Sequence, residues 1–259
     1  YDPAGFIYVA GYAAGEGYGR VKKINTTTHA DVWVYDNRSD FDRAGQVGTG
    51  FESVVVGDNG IIYVGGYDSM GTGTDEGNKK QWRVEKLNTR ASPEQSRVWL
   101  TQRNPTGIVN ANVCEGEILW GAIGDAENFY GVGFQAVDQF DGAWRMEALT
   151  VAGNTRWTAI SDPVPFNYGS DCAWSVDADN DYIYVGGHDG GQMPLGSGGR
   201  MRLEKRQKSD GALVAKFVNY DNPGANVVAA VRLDKAGNLY LAGHDVASGA
   251  RLRVVKVGN

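Results

Sequence analysis

Two histidine-aspartate pairs, His188-Asp189 and His244-Asp245, stand out in a sequence with only 3 histidines. Imidazole beside carboxylate is a ligand set suited to Zn²⁺. Tyr67-Asp68 and Tyr12 hold the same place in other segments, each directly after a small pair: Ala10-Gly11, Gly65-Gly66, Gly186-Gly187 or Ala242-Gly243. An aromatic ring next to a carboxylate can also hold a sugar, by stacking and hydrogen bonding. The same residues have a scaffold reading, in which Asp turns the chain at a strand end and His fills a gap between repeated units. Asp177-Ala-Asp179-Asn-Asp181 spaces its carboxylates like a calcium loop, but no bidentate Glu follows, and a plain hairpin turn accounts for it. No Gly-x-Ser-x-Gly nucleophile motif is present.

The elements that must position these residues repeat. Gly5-Phe-Ile-Tyr-Val-Ala-Gly11, Gly60-Ile-Ile-Tyr-Val-Gly-Gly66, Asp181-Tyr-Ile-Tyr-Val-Gly-Gly187 and Gly237-Asn-Leu-Tyr-Leu-Ala-Gly243 are copies of one motif, with a degenerate fifth at Glu117-Ile-Leu-Trp-Gly-Ala-Ile123. Anchored on Tyr8, Tyr63, Trp120, Tyr184 and Tyr240, they are 55, 57, 64 and 56 residues apart. A segment opened by Arg20, Arg83, Arg145, Arg202 or Arg253 follows each copy, then one such as Asp31-Val-Trp-Val-Tyr35, and a fourth, such as Ser53-Val-Val-Val56, precedes the next anchor. All are short, β-branched or aromatic, and bounded by Gly, Asp, Asn or Pro, the pattern of strands. Four strands per repeat predict an all-β fold, a β-propeller of four-stranded antiparallel blades, because radial stacking covers both faces of a sheet that cannot bury either alone.

The expected blades of this single domain, 1–259, are residues 1–50, 51–107, 108–170, 171–224 and 225–259. Alignment of Asp2-Pro-Ala-Gly-Phe-Ile-Tyr8 with Asp234-Lys-Ala-Gly-Asn-Leu-Tyr240 predicts five blades whose terminal members lack one inner and one outer strand. These would come from other residues or another chain; an excerpt of a ring of six to eight blades is the alternative. In such a fold the connections after the second strand share one face with those leading into each blade. These loops are long and unequal, and Phe129, Tyr130, Phe134 and Phe140 place the most adhesive of them between Asp125 and Ala143. Its alternative role is an aromatic cluster that packs the loop on its own blade. Recurrence of the five arginines points to a scaffold role, since a buried guanidinium must be paired.

Net charge −6 removes the basic face that nucleic acid or an anionic membrane would need. No apolar run approaches a membrane span of ~20 residues. Tyr1 to Gly5 resemble neither a signal nor a transit peptide, so targeting information is expected outside this chain. The 37 glycines follow no Gly-X-Y period and mark turns and close strand contacts instead. Cys114 and Cys172 fall at opposite ends of neighbouring inner strands and are expected as buried thiols.

The order of Gly-Asn/Ile-x-Tyr-Val-Ala/Gly-Gly, a loop, Arg-x-x-x-Lys-Leu-Asn and a Trp-bearing strand resembles the bacterial β-propeller repeats of the SBBP type. The resemblance covers nearly all the chain and implies a secreted or surface-exposed prokaryotic protein. It brings no catalytic residues with it. The expectation is a non-catalytic extracellular binding or assembly module, without cofactor beyond a weakly signalled calcium or zinc ion. Its loop face would meet carbohydrate or protein through Tyr12, Tyr67, Asp68, Phe129, Tyr130, His188, Asp189, His244 and Asp245, and its partners would include other copies or domains. The alternative is a propeller glycosidase or polysaccharide lyase using carboxylates at the axial mouth, where inner strands offer Glu52, Glu115 and Asp177.

Overall fold

The structure, a computed structural model, describes residues 2–13, 17–37, 49–69, 80–103, 118–137, 141–162, 170–191, 199–218, 226–245 and 251–257. It is a β-propeller of antiparallel blades, here lettered A to D from inner to outer strand. The first blade holds β1 (Phe6–Tyr12), β2 (Gly19–Asn25) and β3 (Asp31–Asp36), as strands B to D. The second holds β4 (Gly50–Val56), β5 (Ile61–Ser69), β6 (Lys80–Asn88) and β7 (Arg97–Arg103). The third holds β8 (Ile118–Gly124), β9 (Asn128–Ala136), β10 (Gly142–Thr150) and β11 (Thr155–Ser161). In the fourth, β12 (Ser170–Ala178), β13 (Tyr182–Gly191), β14 (Arg200–Gln207) and β15 (Leu213–Val218) follow, and the fifth has strands A to C as β16 (Val227–Leu233), β17 (Leu239–Asp245) and β18 (Arg251–Val257).

The third blade corrects the sequence reading. Trp120 lies on the inner strand β8, and the true copy of the anchor motif is Asn128-Phe-Tyr-Gly-Val-Gly133 on β9, so Tyr130 is the equivalent of Tyr8, Tyr63, Tyr184 and Tyr240. Of residues 125–143, expected as one adhesive loop, Gly142 and Ala143 open β10, and 125–127 are a tight turn that leads into strand β9 over 128–136. Phe129 and Phe134 are buried in that strand, Phe129 against Tyr63 of the second blade and Phe134 beneath Trp120 and Trp174. A strand covered on both faces carries apolar residues in succession, which imitates a sticky loop. The turn before β9 is closed by Asp125, whose Oδ1 accepts from the Glu127 and Asn128 amides. Asp179 and Asp234 close the corresponding turns of the fourth and fifth blades in the same way. The expected inner strand around Cys114, along with Glu115 and Phe140, lies outside the described residues.

Blades pack through their alternating faces. Tyr8, Val21, Trp33 and Tyr35 of the first blade meet Phe51, Ile62, Val64 and Leu87 of the second. Equivalent positions meet at the next three interfaces. Polar staples recur between them. The indole N–H groups of Trp33, Trp99 and Trp157, on D strands, donate to the carbonyls of Ala91, Val151 and Lys208 in the next blade, at 3.3, 3.2 and 2.9 Å. Trp82 and Trp144, on C strands, donate to Phe134 and His188 carbonyls at 2.8 Å each.

Three of the five arginines complete these staples, whereas Arg20 is partly exposed in an ion pair with Asp36 of its own blade and Arg253 is exposed. Arg83, Arg145 and Arg202 are buried beside Glu85, Glu147 and Glu204, two residues on, and each Glu also receives a group from the preceding blade. Those groups are the Tyr35 hydroxyl at 2.6 Å, the Arg103 guanidinium at 2.9 Å and the Ser161 hydroxyl at 2.7 Å. Burial alone would raise the Glu204 carboxyl, but Arg202 and Arg206 hold it below the usual range. Burial and Glu85 push the Tyr35 hydroxyl well above the ordinary tyrosine value.

Candidate functional site

The residues expected to gather on the loop face are mostly spent within the blades. The buried Asp68 carboxylate accepts from Thr49 Oγ1 at 2.7 Å and Arg83 at 3.0 Å, and from Gln102. His188 is buried within β13, its Nδ1 accepting from Trp174 Nε1 at 2.9 Å. That bond leaves the ring proton on Nε2 in the neutral tautomer. Asp189 is buried 3.7 Å from Arg202. His244 is half-buried on β17 and Asp245 closes the same strand. Tyr12 is exposed, and the Tyr67 ring carries the Lys80 ammonium 4.2 Å from its centroid.

Nor do Asp177, Asp179 and Asp181 converge. Asp177 Oδ2 accepts from the Leu233 amide of the next blade at 2.7 Å, while Asp179 caps its own turn and accepts from Tyr184 Oη at 2.8 Å. Among the described residues no group of three or more His, Cys, Asp or Glu side chains could hold a metal ion.

The unspent chemistry sits on the inner strands. Opposite each second small residue of the motif the inner strand bulges, because Gly66, Gly133, Gly187 and Gly243 lie flat against it: a Cβ there would come within 2.0, 2.1, 2.0 and 1.8 Å of a carbonyl oxygen. The register skips one residue at each bulge: Glu52, Trp120, Trp174 and Ala229. A bulge re-aims the side chain of the unpaired residue. Since β4, β8, β12 and β16 are successive neighbours, the four side chains form one row.

Trp120 and Trp174 face each other in that row with ring centroids 4.7 Å apart at 38°, both partly exposed and backed by Phe134, Ala136 and Cys172. Trp174 spends its N–H on His188, whereas the buried Trp120 Nε1 has no hydrogen-bond partner among the described residues. Glu52 occupies the equivalent position next to Trp120; its side chain reaches solvent, yet burial of the carboxyl raises its pKa, with Lys80 opposing.

Deeper in the fourth blade, Asp171 is buried on β12 and its carboxyl is pushed up to about 8, by burial first and then by Asp189 and Asp162, against a 2.5 Å bond from the Gly190 amide and the charge of Arg202. At the opposite end of the molecule a polar cleft of about 460 Å³ opens between the third and fourth blades, lined by Asp125, Tyr130, Arg156, Asp181, Tyr182 and Lys208. Tyr130, expected on the loop face, therefore presents its hydroxyl here, where burial and Asp125 raise its pKa to about 12 and Lys208 pairs with Asp125 at 2.7 Å.

The sequence reading passed over Trp120 and Trp174 as binding residues. A shared offset from the anchor motif would have exposed them: Trp174 lies 13 residues before Gly187 and Trp120 13 before Gly133, as Glu52 lies 14 before Gly66.

No family model matches this sequence, and no curated protein matches it. Among solved structures, quinohemoprotein alcohol dehydrogenase from Comamonas testosteroni is similar over 98% of this chain, at 14% identity and a TM-score of 0.53. A europium-containing methanol dehydrogenase is similar over 96% at 14% identity, TM-score 0.45, and the periplasmic gluconolactonase PpgL from Pseudomonas aeruginosa over 98% at 11%, TM-score 0.41. The chain spans 42% and 49% of the two dehydrogenases and 82% of the lactonase. At 14% identity the likeness to the first of these agrees with the β-propeller fold and establishes nothing about chemistry.

Proposed function

We propose that this propeller is a non-catalytic carbohydrate-binding module whose ligand stacks on the Trp120–Trp174 pair, with Glu52 accepting sugar hydroxyls. The observation that carries the reading is the pair itself: two partly exposed indoles on adjacent bulged strands, with ring centroids 4.7 Å apart. Indole faces suit the C–H faces of a sugar ring, and the Glu52 carboxylate supplies the polar edge. A hydrolase needs two carboxyl groups roughly 5–9.5 Å apart across the scissile bond. Glu52 is the only acid among the four bulge residues, and Asp68, Asp177 and Asp189 are engaged within the scaffold.

Display outside a prokaryotic cell belongs to the same proposal and rests on the resemblance of the repeats; among the described residues no helix is long and apolar enough to cross a membrane. Calorimetry against a panel of neutral and acidic oligosaccharides is the test. Binding is expected to quench tryptophan fluorescence, and Trp120→Ala is expected to weaken it by about tenfold or more without loss of fold. Sugar binding unchanged in both Trp120→Ala and Trp174→Ala, or hydrolysis of a panel member that Glu52→Gln abolishes, overturns the reading.

A further inference from the structure

Trp174 owes its place in the pair to more than packing. The register of β12 passes from Ala173 to Ser175, so no residue opposite on β13 sets where this side chain points. Its ring is fixed instead by Trp120 and by the bond from its Nε1 to Nδ1 of His188, 2.9 Å long, with the imidazole and indole rings 6.1 Å apart at 31°. The imidazole is the rigid member of that bond. His188 is 2% exposed, pairs with Cys172 on one side of β13 and Met201 on the other, and its carbonyl accepts from Trp144 at 2.8 Å. The indole, partly exposed, is the member with room to turn. Because an indole N–H only donates, the bond exists only while Nδ1 is unprotonated. A proton on Nδ1 sets two N–H donors against each other, and Trp174 has to give way.

We propose that His188 is the positioning residue of the Trp120–Trp174 platform, holding Trp174 in its stacking orientation through Nδ1 and releasing it when that nitrogen takes a proton, so that ligand affinity falls in acid. The inference rests on the carbohydrate-binding reading above and adds a regulation of the same site. The strands packed against β13 are β12, β14 and β16. Near His188 they bring Asp171 and Cys172 from β12 and Arg200 and Arg202 from β14, with Asp189 next on β13 itself and Asp162 beyond Asp171. The charged group of β16, Arg232, is bonded to Ser175 at 3.4 Å, and Trp144 of β10 carries no charge. Asp171 and Asp189, when ionised, favour an imidazolium; Arg200 and Arg202 oppose it, although Arg202 is already drawn to Asp189 and Glu204.

Nuclear magnetic resonance of the ¹⁵N-labelled, ligand-free chain tests the hold directly, with the indole N–H signal of Trp174 assigned through Trp174→Phe. That signal is expected to move between about pH 8 and pH 5 with the same midpoint as the His188 ring nitrogens. In His188→Asn, whose side-chain oxygen can take the place of Nδ1 and accepts at any pH, it is expected to stay fixed. Calorimetry with an oligosaccharide that binds at pH 8 then reads the consequence. Wild-type affinity is expected to fall about tenfold at pH 5, the worth of one buried bond, and that of His188→Asn by about threefold or less. Glu52 titrates in both proteins, so the difference between them belongs to His188. A Trp174 signal unmoved between these pH values, or an equal fall in affinity in both proteins, overturns the proposal. If no oligosaccharide binds at pH 8 the carbohydrate reading fails by itself, whereas the indole titration, which needs neither ligand nor a folded His188 variant, still decides whether His188 holds Trp174.

Discussion

Asp171 shows how one buried carboxyl can set the pH response of the domain. The unfolded chain ionises this group near 3.8, whereas burial and the neighbouring Asp189 and Asp162 keep it protonated in the folded chain to about pH 8. Between those values the folded state holds the extra proton, so this contribution to stability is fullest below pH 4, falls as pH rises, and reaches its floor above pH 8. Asp189, raised in the same direction by burial, adds to the slope, whereas the depressed Glu204 loses its contribution only as pH falls through the acid range. Asp171→Asn keeps the acceptor for the Gly190 amide and removes the titration. Its Tm is expected to fall less between pH 5 and 9 than that of the wild-type chain, leaving it about 4 °C or more higher at pH 9, the size of a 1–2 kcal/mol relief in a domain of this length. Thermal melts at both pH values decide it, and equal slopes for the two proteins sink it.

At the scale of the element, strand type and blade count were legible because turn residues and anchor tyrosines recur at fixed offsets. Arg83, Arg145 and Arg202 were legible as scaffold for the same reason, whereas Arg20 and Arg253 hold the same motif position without being buried. Register was not legible in the third blade, where Trp120 sits in a β-branched context that imitates the anchor and the true anchor, Asn128-Phe-Tyr-Gly-Val-Gly133, reads as aromatic loop. The bulges were also hidden, since nothing in Phe51-Glu52-Ser53 or Trp174-Ser175 says that one residue goes unpaired until the glycine opposite is seen lying against the strand. That contact makes a prediction. An alanine Cβ at Gly66 would lie 2.0 Å from the Gly50 carbonyl oxygen and 2.9 Å from Phe51 Cα, both backbone, so strands β4 and β5 must separate. Gly11 holds the same motif position in the first blade with nothing within 4 Å of a Cβ. Gly66→Ala is expected to cost about 2 kcal/mol or more and Gly11→Ala less than about 0.5. Urea denaturation of the pair measures the difference, and equal costs would mean that the bulge does not depend on glycine.

Across the whole molecule the blades are not equally fastened. The first three interfaces each carry an indole bond from a D strand and a Glu that gathers groups from two blades. At the fourth, Ala215 stands where Trp33, Trp99 and Trp157 stand, and Val255 where Glu85, Glu147 and Glu204 stand. Met201 replaces the indoles of Trp82 and Trp144. Among the described residues, what remains is apolar packing of Leu203 with Leu239, Leu241 and Val255, plus inner-strand bonds in which the Leu233 amide donates to Asp177 and the Val231 amide and Arg232 donate to Ser175. Where the missing tryptophan would lie, a cleft of about 290 Å³ runs between Leu203, Ala215, Phe217, Leu239 and Val257, and Phe217 is left 54% exposed. With each hydrogen bond worth about 1 kcal/mol net, the loss of two or more staples lowers the opening free energy of the fifth blade by about 2 kcal/mol relative to its neighbours. Amides of β16–β18 in dilute protein are therefore expected to exchange with deuterium about tenfold or more faster than those of β5–β6 and β9–β10, by a local opening that leaves the other blades protected. Uniform protection across all five blades would show instead that apolar packing and the inner-strand bonds hold the fifth as firmly as the stapled four.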